Sequence, residues 1–282
     1  MPQSGLPDLI VEPVVRAALA EDLGSQGDIT GRAVIPPGTR TRAQLAAREG
    51  GVVSGLAVAA LAFRLVDPAL RVVPRSADGA ACTPGEVLMT VDGDAAAILA
   101  GERVALNFAA RLSGIATATA ALVAETAGTA ARITCTRKTT PGLRALEKRA
   151  VLDGGGFNHR FSLSDAILIK DNHIAAAGGI GAVLSAARAA ASHMVRIEIE
   201  VDRLDQIEEV LAAGGADAVL LDNMETATLR AAVGMIAGRL VTEASGGMTP
   251  GRVREVAATG VDYISSGAIT HSAPALDLGL DV

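Results

Sequence analysis

Apolar residues fall at helical spacing from 7 to 23, with Val11, Val15, Ala18 and Leu19 along one side. The pattern predicts a helix there, provided that Pro13 lies in its first turn. Alternation takes over from Thr41 to Ser54, where Ala43, Leu45 and Ala47, then Val52 and Val53, read as strands broken at Gly50 and Gly51. Leu56 to Val66 is helical by period and Leu70 to Val73 is a short strand. Val87–Val91 and Ala95–Leu99 flank an Asp-Gly pair of hairpin type. A long helix of Ala, Leu and Thr is expected from Gly101 to about Gly128. The segments through 106 together predict a mixed α/β first domain.

After Ala130 the pattern becomes regular. Apolar runs at Ile133–Thr136, Ala166–Lys170, Val195–Val201, Ala218–Asp222, Leu240–Glu243 and Asp262–Ser265 read as strands. Helical segments near 142–152, 179–191, 203–213, 225–237 and 249–259 lie between them. Six strand-helix units in succession predict a parallel sheet, and that many curl towards a barrel. Six is short of eight, so an open α/β barrel over 107–274 is the expectation. The closing stretch 275–282, ALDLGLDV, alternates at period two and is expected to return as a strand to the first domain.

Composition narrows the classes of function. The chain of 282 residues is 50% hydrophobic with a formal net charge of −6 and a pI near 5.3, and it has no Trp, one Tyr and four Phe. Few stacking platforms and an acidic balance make nucleic acid an unfavourable partner. Met1 to Gly5 has neither a basic start nor an apolar run, and no 18-residue apolar stretch is free of charge, so a cytosolic rather than membrane protein is expected. Cys82 and Cys135 are far apart and outside any CxxC spacing, which predicts buried reduced thiols.

The candidate chemistry concentrates between Thr136 and Ile174. These 39 residues hold seven Lys and Arg and two His against four acids, in a chain that is acidic overall. Arg137 and Lys138 follow one strand run and Lys170 another, while His159 and Arg160 sit in a loop opened by Gly154, Gly155 and Gly156. Parallel strands put all these groups at one end of the barrel, where ligands bind, and such a cluster suits a multiply anionic small molecule. Glu198 and Glu200, two apart on one strand face, and Asp222 at the end of AVLLD suit magnesium, sugar hydroxyls or a developing cation. A structural pairing of Glu198 and Glu200 with core arginines is the alternative. The turns EASGGM and SSGAIT follow the last two strands, the place where barrels commonly hold a phosphate. Gly178, Gly179 and Gly181 do not make a dinucleotide fingerprint. His173 reads either as a metal ligand with Asp171 or as part of a hydrogen-bonded loop. Arg103, in the first turn of the long helix, is unfavourable for the helix dipole and is either a solvated charge or has a role elsewhere.

A pocket for a dianion, a phosphate and a sugar with magnesium fits phosphoribosyl transfer. The stretches TRKTTPGLRALEKRAV, GGGFNHRFSLSDAILIKDNHI, EIEV, LLDN, EASGG and GVDYISSGAITHS, within a likeness running from Glu21 to Ser272, resemble the quinolinate phosphoribosyltransferase family, the decarboxylating nicotinate-nucleotide pyrophosphorylases. The resemblance implies the type II phosphoribosyltransferase fold, a mixed α/β domain followed by an open α/β barrel. It implies that Arg137, His159, Arg160 and Lys170 hold quinolinate, with Thr136 and Lys138 lining the pocket and Lys138 towards the pyrophosphate of phosphoribosyl pyrophosphate. Glu200 and Asp222 would bind ribose hydroxyls or Mg2+. Ser245, Gly246 and Gly247, with Ser266, Gly267 and Ala268, would receive the 5-phosphate. Arg103 would enter the site of a partner subunit, making a homodimer obligatory. Cys135, where the family often has an acid, and the Ser265-Ser266 pair depart from its pattern. Two rival readings are a Schiff-base lyase built on Lys170 and a non-enzymatic sensor of phosphate or dicarboxylate on the same scaffold. A molybdenum-associated relative departs from TRKTTPGLR and KDNH, which are intact here.

Overall fold

The structure, a computed structural model, describes residues 5–282. The chain opens with α1 (Asp8–Leu23), α2 (Ile29–Val34), β1 (Arg40–Ala47), β2 (Gly51–Val52), α3 (Leu56–Val66), β3 (Arg71–Pro74), β4 (Ala81–Cys82) and β5 (Val87–Asp94). The long helix α4 (Ala95–Glu125) follows, then β6 (Arg132–Thr134), α5 (Arg144–Asp153), β7 (Ile167–Ile169), α6 (Asp171–Ala177) and α7 (Ile180–Ala190). The rest alternates as β8 (Ile197–Val201), α8 (Leu204–Ala213), β9 (Ala218–Asp222), α9 (Thr226–Ile236), β10 (Val241–Ser245) and α10 (Pro250–Ala257). It ends with β11 (Tyr263–Ser265), α11 (Ala268–His271) and β12 (Leu278–Asp281).

These elements form two compact units that do not follow a single cut at 106/107. One takes the chain up to Ala120, Thr139–Gly155 and Ile269–Val282; the other takes Ala121–Lys138 and Gly156–Ala268. The first unit carries an antiparallel sheet in the order β12-β1-β5-β3, so the final alternating stretch does pair with β1, Leu278 opposite Ala47 and Asp281 opposite Gln44. Inward residues of β1, Ala43, Leu45 and Ala47, are fully buried, as period-two patterning requires of a sheet with one covered face.

Helix α5 joins this unit through a buried carboxylate. Glu147 accepts from Arg111 Nη2 on α4 at 3.0 Å, from Thr140 N at 3.0 Å and from Thr140 Oγ1 at 2.7 Å. Arg111 also donates to the carbonyls of Thr270 and Ala273. A charged hub with 0% side-chain exposure at Glu147 therefore ties α4, the turn before α5 and the C-terminal segment together.

Two local expectations are corrected. The Asp92-Gly93 pair makes no hairpin: β5 runs straight through it, and Ala95–Leu99 is helical. Gly93 serves close packing, since a β-carbon there would overlap the Leu70 side chain, and Asp94 turns the chain into α4 by accepting from Ala97 N at 3.0 Å. Pro13 lies in the second turn of α1, past the first turn the sequence reading required. The carbonyl its missing N–H abandons belongs to Leu9, whose 84% exposure leaves water to serve it. Helix α4 is long and apolar enough to cross a membrane by length and composition, yet more than half of its apolar window is buried inside the protein, as in the core helix of a globular fold.

The second unit is a six-stranded parallel sheet in the order β6-β11-β10-β9-β8-β7. Its strands read as apolar runs because helices cover the outer face. On β8, Ile197, Ile199 and Val201 are buried while Glu198 and Glu200 share the opposite face. The sheet does not close: Phe157 adds one parallel bridge beyond β6, opposite Thr134, and β7 remains the other edge. The barrel is open between those two edges. All six strands end at the same rim, which receives the segments after Thr134, Ile169, Val201, Asp222, Ser245 and Ser265.

Candidate active site

The rim of the open barrel gathers the predicted cations from two edges. After β6, Thr136 Oγ1 accepts from Lys138 N at 3.0 Å, a tight turn that presents Arg137 and Lys138 in sequence. Across the open seam, the Arg160 guanidinium donates through Nη1 to the Ala166 carbonyl at 2.9 Å, just before β7. The loop between is knotted by Asp165, whose carboxylate accepts from the amides of Phe161 and Ser162 and from the Ser162 hydroxyl. Burial, followed by the facing Arg137 guanidinium, pushes the Arg160 pKa below the ordinary arginine value, while Glu198 and Asp165 oppose the shift. Two guanidiniums close enough to repel one another are a seat for a ligand carrying more than one negative charge.

Lys170, at the start of α6, sends its ammonium to Glu200 Oε2. Its backbone N–H donates to His173 Nδ1 at 2.9 Å, so His173 belongs to a hydrogen-bonded loop. Asp222 ends β9 and accepts from Asn223 Nδ2 at 2.7 Å. Asn223 stands in the left-handed region at φ +52°, and its N–H closes onto the Ser245 carbonyl at 3.0 Å. Gly246 follows at φ +100° with no room for a β-carbon against the Asn223 amide. The turn EASGG is thus shaped around Asn223, a residue that sequence reasoning passed over although it stood in the LLDN motif. On the next strand, Ser266 N donates to the Thr134 carbonyl at 3.0 Å, holding the Ser266–Ala268 turn against the end of β6.

His159 behaves differently from the cations. Its Nδ1 accepts the Arg160 backbone N–H at 2.7 Å, and its Nε2 lies 3.0 Å from Glu198 Oε2 and 3.6 Å from Glu243 Oε2. A ring nitrogen that accepts an N–H carries no proton of its own, so the imidazole is the neutral tautomer with its proton on Nε2. Glu198 therefore pairs with a histidine, where the structural alternative was an arginine. Glu243 is buried, and desolvation first, then the Glu198 charge, push its pKa up to about 7. Sequence reading took Glu243 only as the end of its strand run and the first residue of EASGGM, and gave it no role. Arg103 belongs to the first unit and is exposed on α4; that helix begins at Ala95, so Arg103 does not lie in its first turn, where the sequence reading put it.

This arrangement coincides with a family match over most of the chain. Residues 28–113 match the model of the quinolinate phosphoribosyl transferase N-terminal domain, and residues 115–281 match that of its C-terminal domain. The chain belongs to the quinolinate phosphoribosyltransferase family. It is 44% identical over 262 residues, 93% of its own length and 90% of the relative's, to a probable nicotinate-nucleotide pyrophosphorylase (carboxylating) of Bacillus subtilis. Identity is also 44% over 273 residues, 95% of each protein, with the nicotinate-nucleotide pyrophosphorylase (carboxylating) of Mycobacterium leprae. Among solved structures, NadC from Streptococcus pyogenes superposes with a TM-score of 0.95 at 39% identity, covering 99% of this chain and 98% of that one. The nicotinate-nucleotide pyrophosphorylase of Francisella tularensis gives 0.94 at 37% identity, covering 98% and 97%.

Proposed function

We infer that this chain transfers the phosphoribosyl group of phosphoribosyl pyrophosphate to quinolinate with loss of CO2, giving nicotinate mononucleotide and pyrophosphate for NAD synthesis. The observation that carries this reading is that the Arg137 charge acts on the part-buried Arg160 guanidinium, with Lys170 following the edge strand β7. Quinolinate is a planar dicarboxylate, and guanidinium forks hold carboxylates with charge-assisted bonds worth roughly 1.5 to 3 kcal/mol each. Thr136 and Lys138 complete that side, with Lys138 aimed at the pyrophosphate. Ser245 to Gly247 and Ser266 to Ala268 line the seat of the 5-phosphate, the Ser266 amide being held by the Thr134 carbonyl.

The chemistry follows from this placement. The pyridine nitrogen has a free lone pair at neutral pH and attacks the anomeric carbon without a general base as pyrophosphate leaves. Positive charge grows on the ribose ring, and Glu200 and Asp222 stabilise it from the strand ends. Both are hard carboxylate donors, the type that shares Mg2+ with substrate phosphates, so they fit the ion. Magnesium, when bound, neutralises charge on the departing pyrophosphate. Once ribosylated, the cationic ring nitrogen stabilises as an ylide the electron pair left on C2 when the 2-carboxylate departs as CO2, and a proton from water then bonds to C2. The guanidiniums clamp the 3-carboxylate through both steps.

The Schiff-base alternative is disfavoured by the Lys170 ion pair with Glu200, which engages the amine with a carboxylate and leaves it poorly placed to attack a carbonyl. A sensor without turnover has no use for Glu200 and Asp222 at the rim. The working form is a homodimer in the cytoplasm, with Arg103 of each chain completing the partner's site; the exposure of Arg103 on α4 supports this. Arg160→Ala tests the assignment: the quinolinate KM rises at least tenfold, or turnover disappears, in a folded protein. Unchanged kinetics would remove Arg160 from the site.

A further inference from the structure

Beneath the anion-binding rim, three groups converge inside the barrel from separate elements. His159 comes from the segment past β6, Glu198 from β8 and Glu243 from β10, with their ring nitrogen and carboxylate oxygens all within 4.8 Å of one another. The imidazole holds one proton, on Nε2, since Nδ1 accepts the Arg160 N–H. That proton serves Glu198 at 3.0 Å and leaves Glu243 at 3.6 Å, beyond a good hydrogen bond. Protonated Nε2 has no lone pair to offer a metal ion, so a resident metal does not fit this cluster. Two buried carboxyls sharing one neutral imidazole cannot both be ionised cheaply, and one must hold a proton. Glu243 is the deeper of the two, its side chain 7% exposed against 13% for Glu198. Its Oε1 and the Ser265 hydroxyl have no geometrically aligned partner, which leaves the hydroxyl oxygen as an acceptor for a carboxylic proton, while His159, Ser265 and Lys170 act against the rise in the Glu243 pKa.

We propose that Glu243 is a positioning residue that works as the neutral acid, keeping Glu198 on His159 and His159 on the Arg160 backbone so that the Arg160 guanidinium stays beside Arg137. The proposal deepens the reading of the site as one for quinolinate and rests on it. Loss of the Glu243 proton sets two buried carboxylates against each other around a single N–H. The ring is then drawn off the Arg160 amide, and the clamp on the substrate loosens. The other charged or titratable groups facing Glu243 are Glu198 on β8, His159 from the segment past β6 and Lys170 after β7; Ser265 on β11 is the polar neighbour. Binding of a dianion near the cluster makes it harder for Glu243 to ionise. The alkaline fall in kcat therefore lies at higher pH than that in kcat/KM.

The test compares wild type with Glu243→Gln, a neutral isostere. Wild-type kcat/KM for quinolinate falls about tenfold per pH unit on the alkaline side, whereas E243Q keeps activity within about threefold of wild type at neutral pH and lacks that fall. A folded E243Q that is inactive, or one that retains the alkaline fall, would overturn the proposal. An arm independent of turnover uses wild-type protein labelled with 15N-histidine, the His159 signal being identified by its loss in His159→Asn. His159 is expected as the neutral Nε2–H tautomer at neutral pH, with its shift moving as Glu243 titrates. A doubly protonated ring, or a signal flat through that range, would contradict it and also decides the matter if E243Q does not fold. Wild type that releases no CO2 from quinolinate, with the tautomer as expected, would instead refute the proposed substrate and leave the network standing.

Discussion

Gly246 and Asn223 compete for the same space at the barrel rim: a β-carbon on Gly246 would overlap the Asn223 amide. Gly246 also stands at φ +100°, where any side chain adds strain on the order of 1–3 kcal/mol. Gly246→Ala is expected to displace Asn223 and, through it, the Asp222 carboxylate and the EASGG turn. Misplacement of that kind costs on the order of a hundredfold. Steady-state kinetics should place the loss in kcat/KM for phosphoribosyl pyrophosphate, while calorimetry shows quinolinate binding intact. An equal loss of both ligands would mean that the rim as a whole had collapsed.

Lys170 is exposed, its side chain 47% accessible and paired with Glu200. Exposed ion pairs contribute about 0–1 kcal/mol to folding, so Lys170→Ala should leave the melting temperature nearly unchanged. Its KM for quinolinate should rise about tenfold or more, the worth of one charge-assisted bond. A fall in stability with normal KM would assign Lys170 to the scaffold.

Glu147 presents the opposite case, a carboxylate with no exposure that accepts from Arg111 and from Thr140. Removing it leaves the Arg111 guanidinium without its carboxylate, and breaking a buried pair from one side costs about 3–5 kcal/mol. Urea unfolding of Glu147→Ala should show a loss of that order; a change below about 1 kcal/mol would show that water replaces the carboxylate.

Glu243 also links stability to pH, and the sign is fixed by its shift. Its folded pKa is raised from 4.5 to about 7, so the unfolded chain releases the proton first. As pH rises from 4.5 towards 7 the fold carries a growing penalty, which levels off above 7. The melting temperature of E243Q should therefore gain on wild type across that interval and run parallel to it at higher pH. A difference between the two proteins that is constant across the whole interval would show that Glu243 does not titrate there.

Sharing of the site between subunits predicts complementation. Arg103→Ala mixed with a chain inactivated at Lys138 should regain part of its activity, because one of the two sites in a heterodimer then has both residues. Verified heterodimers that stay inactive would confine each site to one chain.

Much of the barrel was legible because buried parallel strands make short apolar runs between amphipathic helices, and β9 is of that kind, while β8 shows as an alternation of Ile and Val with Glu. The candidate cations were legible because charge beside a strand end has few structural uses. The hairpin expected at Asp92-Gly93 was misread: a glycine needed for contact with Leu70 looks the same in sequence as one needed for a turn. Pro13 was misjudged because the exposure of Leu9, which makes it tolerable in the second turn, is a tertiary fact. Single-pattern reading also missed the hub at Glu147 and the acid at Glu243, whose partners stand far away in sequence. His159 was read with the cations from its neighbour Arg160, whereas its tautomer depends on a backbone amide and two carboxyls on other strands.

The central claim is tested most directly by release of labelled CO2 from quinolinate carrying the label in its 2-carboxylate, with and without phosphoribosyl pyrophosphate and Mg2+. Release that requires phosphoribosyl pyrophosphate, matched mole for mole by nicotinate mononucleotide and pyrophosphate, is the expected result. Release without phosphoribosyl pyrophosphate, or none with it present, would contradict the account.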